Sequence, residues 1–215
     1  MNKKAKKIAK KIKKIQQSGK VPADDLLDHL LDIRIHKVEK KLSLPKLLIE
    51  YGPDHRIYQG DNSYYYIQRL FKKLAPFRPK SILDLGSGYG RVLFYGALLW
   101  KDVDFYGVEI VPERVKATKK GSKRLGLSSV HSFQGDVTKD VLPKADCFCL
   151  MNTFFPDLLP KALKHLKKHA RKNPFLLVSV STGNVLVAQQ KWLKEIHIKP
   201  PPKNELDFRF FQTKK

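Results

Sequence analysis

From Ser81 onward short apolar runs alternate with helical stretches, and few folds accept that alternation. Ser81–Leu85, Asp104–Ile110, Val130–Gln134, Ala145–Met151 and Phe175–Val180 read as strands. Arg91–Trp100, Glu113–Leu125, Leu158–Ala170 and Val185–Trp192 read as the helices that follow them. Strands apolar on both faces and separated by helices predict a parallel sheet covered on both sides. The end of the chain differs: Ile196–Lys199, three prolines and Phe208–Gln212 predict two strands returning antiparallel. The expected fold is α/β, a doubly wound seven-stranded sheet, mostly parallel with an antiparallel C-terminal hairpin, behind N-terminal helices.

The first twenty residues carry nine lysines and no acid, with Ala5, Ile8, Ile12 and Ile15 at helical spacing. Two expectations follow: a solvated tail that orders on a partner, or a basic arm for nucleic acid or an anionic surface. Ser18, Gly19 and Pro22 end the stripe, and Val21–Leu44 predicts a second helix. Its Ala23-Asp24-Asp25 start suits the positive end of a helix. Residues 45–62, rich in Gly, Pro and Asp, predict a loop; Tyr64–Leu74 predicts a helix ended by Pro76 and Pro79. The chain thus divides into a basic flexible or helical tail (1–20), a helical extension (21–80) and the sheet domain (81–215).

Length allows one well-buried α/β domain with a short extension. The 43 Lys and Arg outnumber the 20 Asp and Glu, for a net charge of +23, and +14 remains without the first twenty residues. Such a field attracts polyanions. Cys147 and Cys149 stand two apart on one strand face, a poor geometry for a disulfide, and are expected to be reduced core thiols. No His or Cys set has metal-ligand spacing, so no metal is expected. No apolar stretch approaches the ~18 residues that span a bilayer, and the basic N-terminus has no apolar signal core. A cytoplasmic monomer without a transmembrane segment is the expectation.

The chemistry concentrates in Ile82-Leu83-Asp84-Leu85-Gly86-Ser87-Gly88-Tyr89-Gly90-Arg91-Val92. A strand runs into a glycine turn that opens a helix, which lets a ligand approach the backbone. A dinucleotide-binding turn would place a small residue at position 91, which is Arg. Asp84 would repel a pyrophosphate; it suits a ligand carrying an ammonium and a positive sulfur. Glu109, 25 residues later, ends the next strand where ribose hydroxyls can be accepted. Asp136, in Phe133-Gln134-Gly135-Asp136-Val137, can accept an adenine amino group. Met151-Asn152-Thr153-Phe154-Phe155 follows the fourth strand. Any one of these acids could serve merely as a helix cap. Four motifs in order at strand carboxyl ends mark a ligand site.

On these motifs, residues 81–212 resemble the class I S-adenosylmethionine-dependent methyltransferases. The resemblance implies a Rossmann-like seven-stranded sheet, with S-adenosylmethionine as cofactor. It implies Gly86, Ser87, Gly88 and Gly90 at the methionine part, Glu109 at ribose, and Asp136 with Val137 at adenine. More narrowly, Ile57-Tyr58-Gln59-Gly60-Asp61-Asn62-Ser63 resembles the cofactor-capping loop of the non-SET histone lysine methyltransferases, the disruptor of telomeric silencing family. That family's Tyr-Gly-Glu-Thr loop is replaced here by Tyr-Gln-Gly-Asp, and its paired asparagines by the single Asn152. The narrower resemblance implies cofactor contacts at Gln59 and Gly60, and an acceptor site with Asn152, Tyr58 and Phe154.

Under that reading the partner is a protein with an accessible lysine, with nucleic acid or a nucleosome met by the basic tail. A lysine must lose its proton before attack, which an apolar aromatic channel favours; Tyr58, Tyr64, Tyr65, Tyr66, Phe154 and Phe155 are candidates. No His, Cys or Lys stands out as a general base. The alternatives are an RNA methyltransferase, with Lys161, Lys164, Lys167, Lys168, Arg171 and Lys172 tracking phosphates, or a non-catalytic basic module that binds nucleic acid. A small-molecule acceptor leaves the +23 unexplained.

Overall fold

The computed structural model describes residues 1–20, 23–51, 62–154, 157–181, 183–198 and 207–214. Its centre is strand β1 (Ser81–Leu85), flanked in parallel by β2 (Asp104–Glu109) and β4 (Cys147–Met151). Strand β3 (Val130–Gln134) lies outside β2, and β5 (Leu176–Val180) outside β4, both parallel. Strand β7 (Arg209–Thr213) then runs antiparallel to β5, and β6 (Leu193–Ile196) closes the edge antiparallel to β7. The order is β3-β2-β1-β4-β5-β7-β6. The strand order reverses between β1 and β4, and the crevice above that switch point is where such sheets hold ligands.

Alternate residues of each strand feed two cores. Ile82, Phe105, Cys147, Cys149 and Phe210 face α5 (Tyr64–Leu74) and α6 (Arg91–Leu99). Leu83, Phe148, Leu150, Leu177 and Phe211 face α8 (Leu159–Ala170). Between β2 and β3, α7 (Pro112–Leu125) packs on the α6 side; Gly121 meets the Phe94 ring there. A six-residue α9 (Gly183–Ala188) joins the α8 side. Both cysteines are free and fully buried.

The basic N-terminus forms α1 (Lys3–Gln17), and its apolar stripe finds a partner within the chain. Ala5, Ile8, Ala9 and Ile12 are buried in the α6-side core. Asn2 fixes the start: its side chain accepts the Ala5 N–H at 3.0 Å and donates to the Arg124 carbonyl at 2.7 Å. Near the far end Gln16 donates to the Tyr95 hydroxyl at 2.6 Å. Each buried isoleucine contributes about 1.5–3 kcal/mol relative to exposure, so the stripe docks while the lysines face water.

The helix expected over Val21–Leu44 is instead two, α2 (Asp24–Leu31) and α3 (Ile35–Glu39), and a further helix, α4 (Leu44–Tyr51), starts at its last residue. The break comes at Asp32, left-handed at φ 55°, whose carboxylate pairs with Arg34 and Arg124. A tertiary ion pair thus overrides local helix preference. The loop expected from residue 45 is displaced by α4, because a proline is tolerated in a first turn and Leu47 packs on Val111. At the other end the helix expected to Trp192 stops at Ala188, and the strand expected at Ile196–Lys199 is Leu193–Ile196. A turn in which the Leu193 N–H meets the Gln190 carbonyl at 3.0 Å starts that strand early.

Candidate active site

The carboxyl ends of β1, β2 and β4 and the segment after β3 surround one cavity. The turn after β1 forms its floor, pinned to β2 by the Gly86 and Ser87 N–H groups, which donate to the Val108 carbonyl at 2.8 and 3.0 Å. Gly86 sits at φ 76°, and a methyl group on it would strike the Thr153 side chain. Thr153 in turn donates its hydroxyl to the Leu85 carbonyl, tying the β4 tip to the β1 tip. Gly88, at φ 53°, differs: a Cβ there meets nothing within 4 Å, so its backbone stands open to whatever enters. Gly90 is the left-handed N-cap of α6 and packs on Thr118, outside the cavity lining; its glycine serves helix entry and α6–α7 approach.

Asp84 is buried on this floor, and no hydrogen-bond partner for its carboxylate exists among the described residues. Burial, and then the charge of Glu109, push it up to about 7. A carboxylate so placed favours a cation that would neutralise it. Glu109 is held differently: it accepts the Gly88 N–H at 2.8 Å and the Val111 N–H at 3.0 Å, with Arg114 at 3.8 Å. Asp136 accepts both the Thr138 N–H at 2.8 Å and its hydroxyl at 2.6 Å, with Lys139 at 3.3 Å, in the manner of a turn cap. Of the three acids, Asp84 is the one without a donor on it among the described residues.

Asp84, Gly86, Ser87, Gly88, Glu109, Asp136, Val137, Asn152 and Phe154 all line the cavity. Asn152 is left-handed at φ 56°, turning the chain off β4 toward it. Tyr58, Gln59, Gly60 and Phe155 lie outside the described residues. Three aromatic candidates are corrected. Tyr64 is fully buried in the helical core and donates its hydroxyl to Asp28 at 3.0 Å. Tyr65 and Tyr66 are exposed and stack edge to face on each other, away from the lining.

The helical layer adds residues that sequence reasoning missed. Glu39 of α3 takes a hydrogen bond from the Tyr89 hydroxyl at 2.6 Å and one from Arg114 Nε at 2.9 Å. Asp28 of α2 pairs with Arg91. Asn62 donates to the Met151 carbonyl at 3.1 Å, closing the layer onto the β4 tip. Tyr89 and Arg91 lay within the glycine motif and were findable there. Arg114 and its pairing with Glu39, 75 positions away, had no local signal. Among the described residues no cluster suits a metal ion, and no helix is long and apolar enough to cross a membrane.

Comparison with known proteins agrees with this geometry. Residues 78–196 match the family described as a methyltransferase domain. A protein-L-isoaspartate O-methyltransferase of Pyrococcus horikoshii is 31% identical over 97 residues, which is 44% of this chain and 43% of that protein. A tRNA (guanine-N(7)-)-methyltransferase of Dechloromonas aromatica is 31% identical over 103 residues, 46% of this chain and 41% of that protein. The matched stretch therefore spans less than half of either relative. The N-methyltransferase NodS of Bradyrhizobium japonicum, solved with S-adenosyl-L-homocysteine, shares the fold at a TM-score of 0.51 and 14% identity, over 70% of this chain and 86% of that one. The narrower resemblance to histone lysine methyltransferases finds no support among these relatives.

Proposed function

We propose, from the premise that this chain belongs to the methyltransferase-domain family, that it is an S-adenosylmethionine-dependent methyltransferase using the cavity over β1 and β4. The single observation carrying this reading is Asp84, a buried carboxylate without a partner among the described residues, beside a glycine backbone open at Gly88. Asp84 neutralises the cofactor's ammonium, Gly86–Gly88 pass the methionine chain, Glu109 accepts ribose hydroxyls, and Asp136 with Val137 borders the adenine. Bound there, S-adenosylmethionine supplies a methyl group on a positive sulfur. The chain's own residues align the acceptor and exclude water, which is the main demand of an in-line displacement.

No His, Cys or Lys lines the cavity among the described residues, which suits a nitrogen acceptor that arrives unprotonated. The +23 charge favours an RNA nitrogen, because it gathers phosphates and repels lysine-rich peptides. A protein lysine is the second reading, supported by Phe154, whose ring on the cavity wall can desolvate an amine. Asn152 and Phe154 hold the acceptor side in either case.

Calorimetric titration with S-adenosylhomocysteine tests the cofactor site. Binding in the micromolar range is expected, with a loss of at least tenfold in Asp84→Ala and in Glu109→Ala. Absence of binding by the unaltered chain overturns the enzyme reading. Labelled-methyl transfer onto RNA and onto lysine-containing proteins separates the two acceptors.

A further inference from the structure

We infer that the open face of β2 and β3 docks a single-stranded RNA segment, whose bases continue a stack of aromatic rings built into the sheet. The inference rests on the RNA reading of the acceptor. Tyr106 and His131 are cross-strand partners with ring centroids 5.1 Å apart and planes 21° apart. Phe133, two residues on along the same face, lies 6.4 Å from Tyr106 at 25°. Among the described residues the helices packed most closely against β2 and β3 are α6 and α7, and both lie on the opposite face with Phe105 and Gly107. Phe133 is consequently 43% exposed, in a shallow groove whose other wall includes Val141, 97% exposed.

A lone exposed aromatic on an edge strand needs no explanation. Three near-parallel rings beside an apolar groove form a stacking platform, and stacking tolerates any base because every base has a flat face. The faces of paired bases are hidden within a duplex; the unpaired loops, bulges and ends of an RNA present them.

The charge around the groove fits a phosphate backbone. His165 of α8 lies 2.9 Å from the Asp140 carbonyl, so α8 flanks the groove with Lys161, Lys164 and Lys168 exposed. On the groove's own loop Lys139 and Lys144 are exposed beside one exposed acid, Asp140, whose carboxylate accepts the Asp136 N–H at 2.8 Å, and no Asp or Glu occurs from residue 158 to 194. Asp104, 3.8 Å from His131, bounds the foot of the platform and directs phosphates to its other end. That end is the useful one, because Val108 and Gly135 line both groove and cofactor cavity. A membrane is the poorer partner, since the apolar stripe of the lysine-rich α1 is spent on the core.

Fluorescence anisotropy of the full chain with fluorescein-labelled oligoadenylate RNA is the test. Phe133→Ala is expected to weaken binding about tenfold, the loss of one stacked base. Phe133→Tyr is expected to restore it, and S-adenosylhomocysteine affinity stays unchanged in both. Unchanged RNA affinity in Phe133→Ala overturns the inference. So does equal affinity for duplex RNA. A dimer in sedimentation that Phe133→Ala dissolves also overturns it, and makes the face a contact between copies. Phe133-dependent RNA binding by a chain that ignores S-adenosylhomocysteine supports the docking face while removing the methyltransferase reading.

Discussion

The acids of the helical layer and the acids at the strand tips do opposite work. In the layer, Asp28, Asp32 and Glu39 each meet an arginine from the sheet domain: Arg91, Arg124 and Arg114. These pairs join two regions whose sequences carry no hint of each other. At the tips, Glu109 and Asp136 spend much of their capacity on nearby backbone N–H groups, and Asp84 has no protein donor among the described residues. A carboxylate paired with arginine holds structure; a buried one without a donor is held for a ligand.

The largest expected effect comes from breaking the join. Arg114 is buried between Glu39 at 2.9 Å and Glu109 at 3.8 Å, with its guanidinium over the Tyr89 ring. Arg114→Met removes the one cation shared by these two carboxylates, leaving them only neutral donors among the described residues, and should cost about 3 kcal/mol of stability, read as a fall in denaturation midpoint at pH 7.5. A loss below about 1 kcal/mol would sink the claim that these pairs anchor the layer.

That same contrast sets what the sequence could reveal. The strands of the sheet domain were legible because burial on both faces leaves continuous apolar runs, as in Cys147–Met151, and a period of that kind is local. Asp84 and Glu109 were legible because a parallel sheet places every strand's carboxyl end on one rim. The helical layer was not. Its breaks depend on pairs such as Asp32 with Arg124, 92 positions apart, and no window of sequence contains both. Gly90 was half legible for a related reason: a left-handed glycine looks alike in a sequence whether it serves a ligand or lets α7 approach α6 through Thr118, and the second is what its packing displays.

A smaller effect sharpens the tip side of the comparison. Asp84 sits near 7 without ligand, and a cofactor ammonium binds only its ionised form. Ligand binding must then lower that value, so affinity for S-adenosylhomocysteine is full above about pH 7. Below it, affinity should fall by up to tenfold per pH unit, because each unit of protonation is about 1.4 kcal/mol. Calorimetry at pH 8, 6.5 and 5.5 reads this directly. In Asp84→Asn the affinity should be weak and flat across the same range. A wild-type curve equally flat means that Asp84 does not meet the ammonium.

The smallest expected effect lies where layer and tips touch without charge. Asn62 donates to the Met151 carbonyl at 3.1 Å and lines the cavity together with Asn152 and Phe154. One neutral hydrogen bond contributes about 1 kcal/mol, so Asn62→Ala should lower stability by that amount and weaken S-adenosylhomocysteine binding less than tenfold. The split between the two readings is informative. If affinity falls while the denaturation midpoint holds, Asn62 belongs with Asp84 as a group kept for the ligand. If the midpoint falls alone, it belongs with Arg114, and the boundary between holding structure and holding ligand runs along the cavity wall between Asn62 and Asp84.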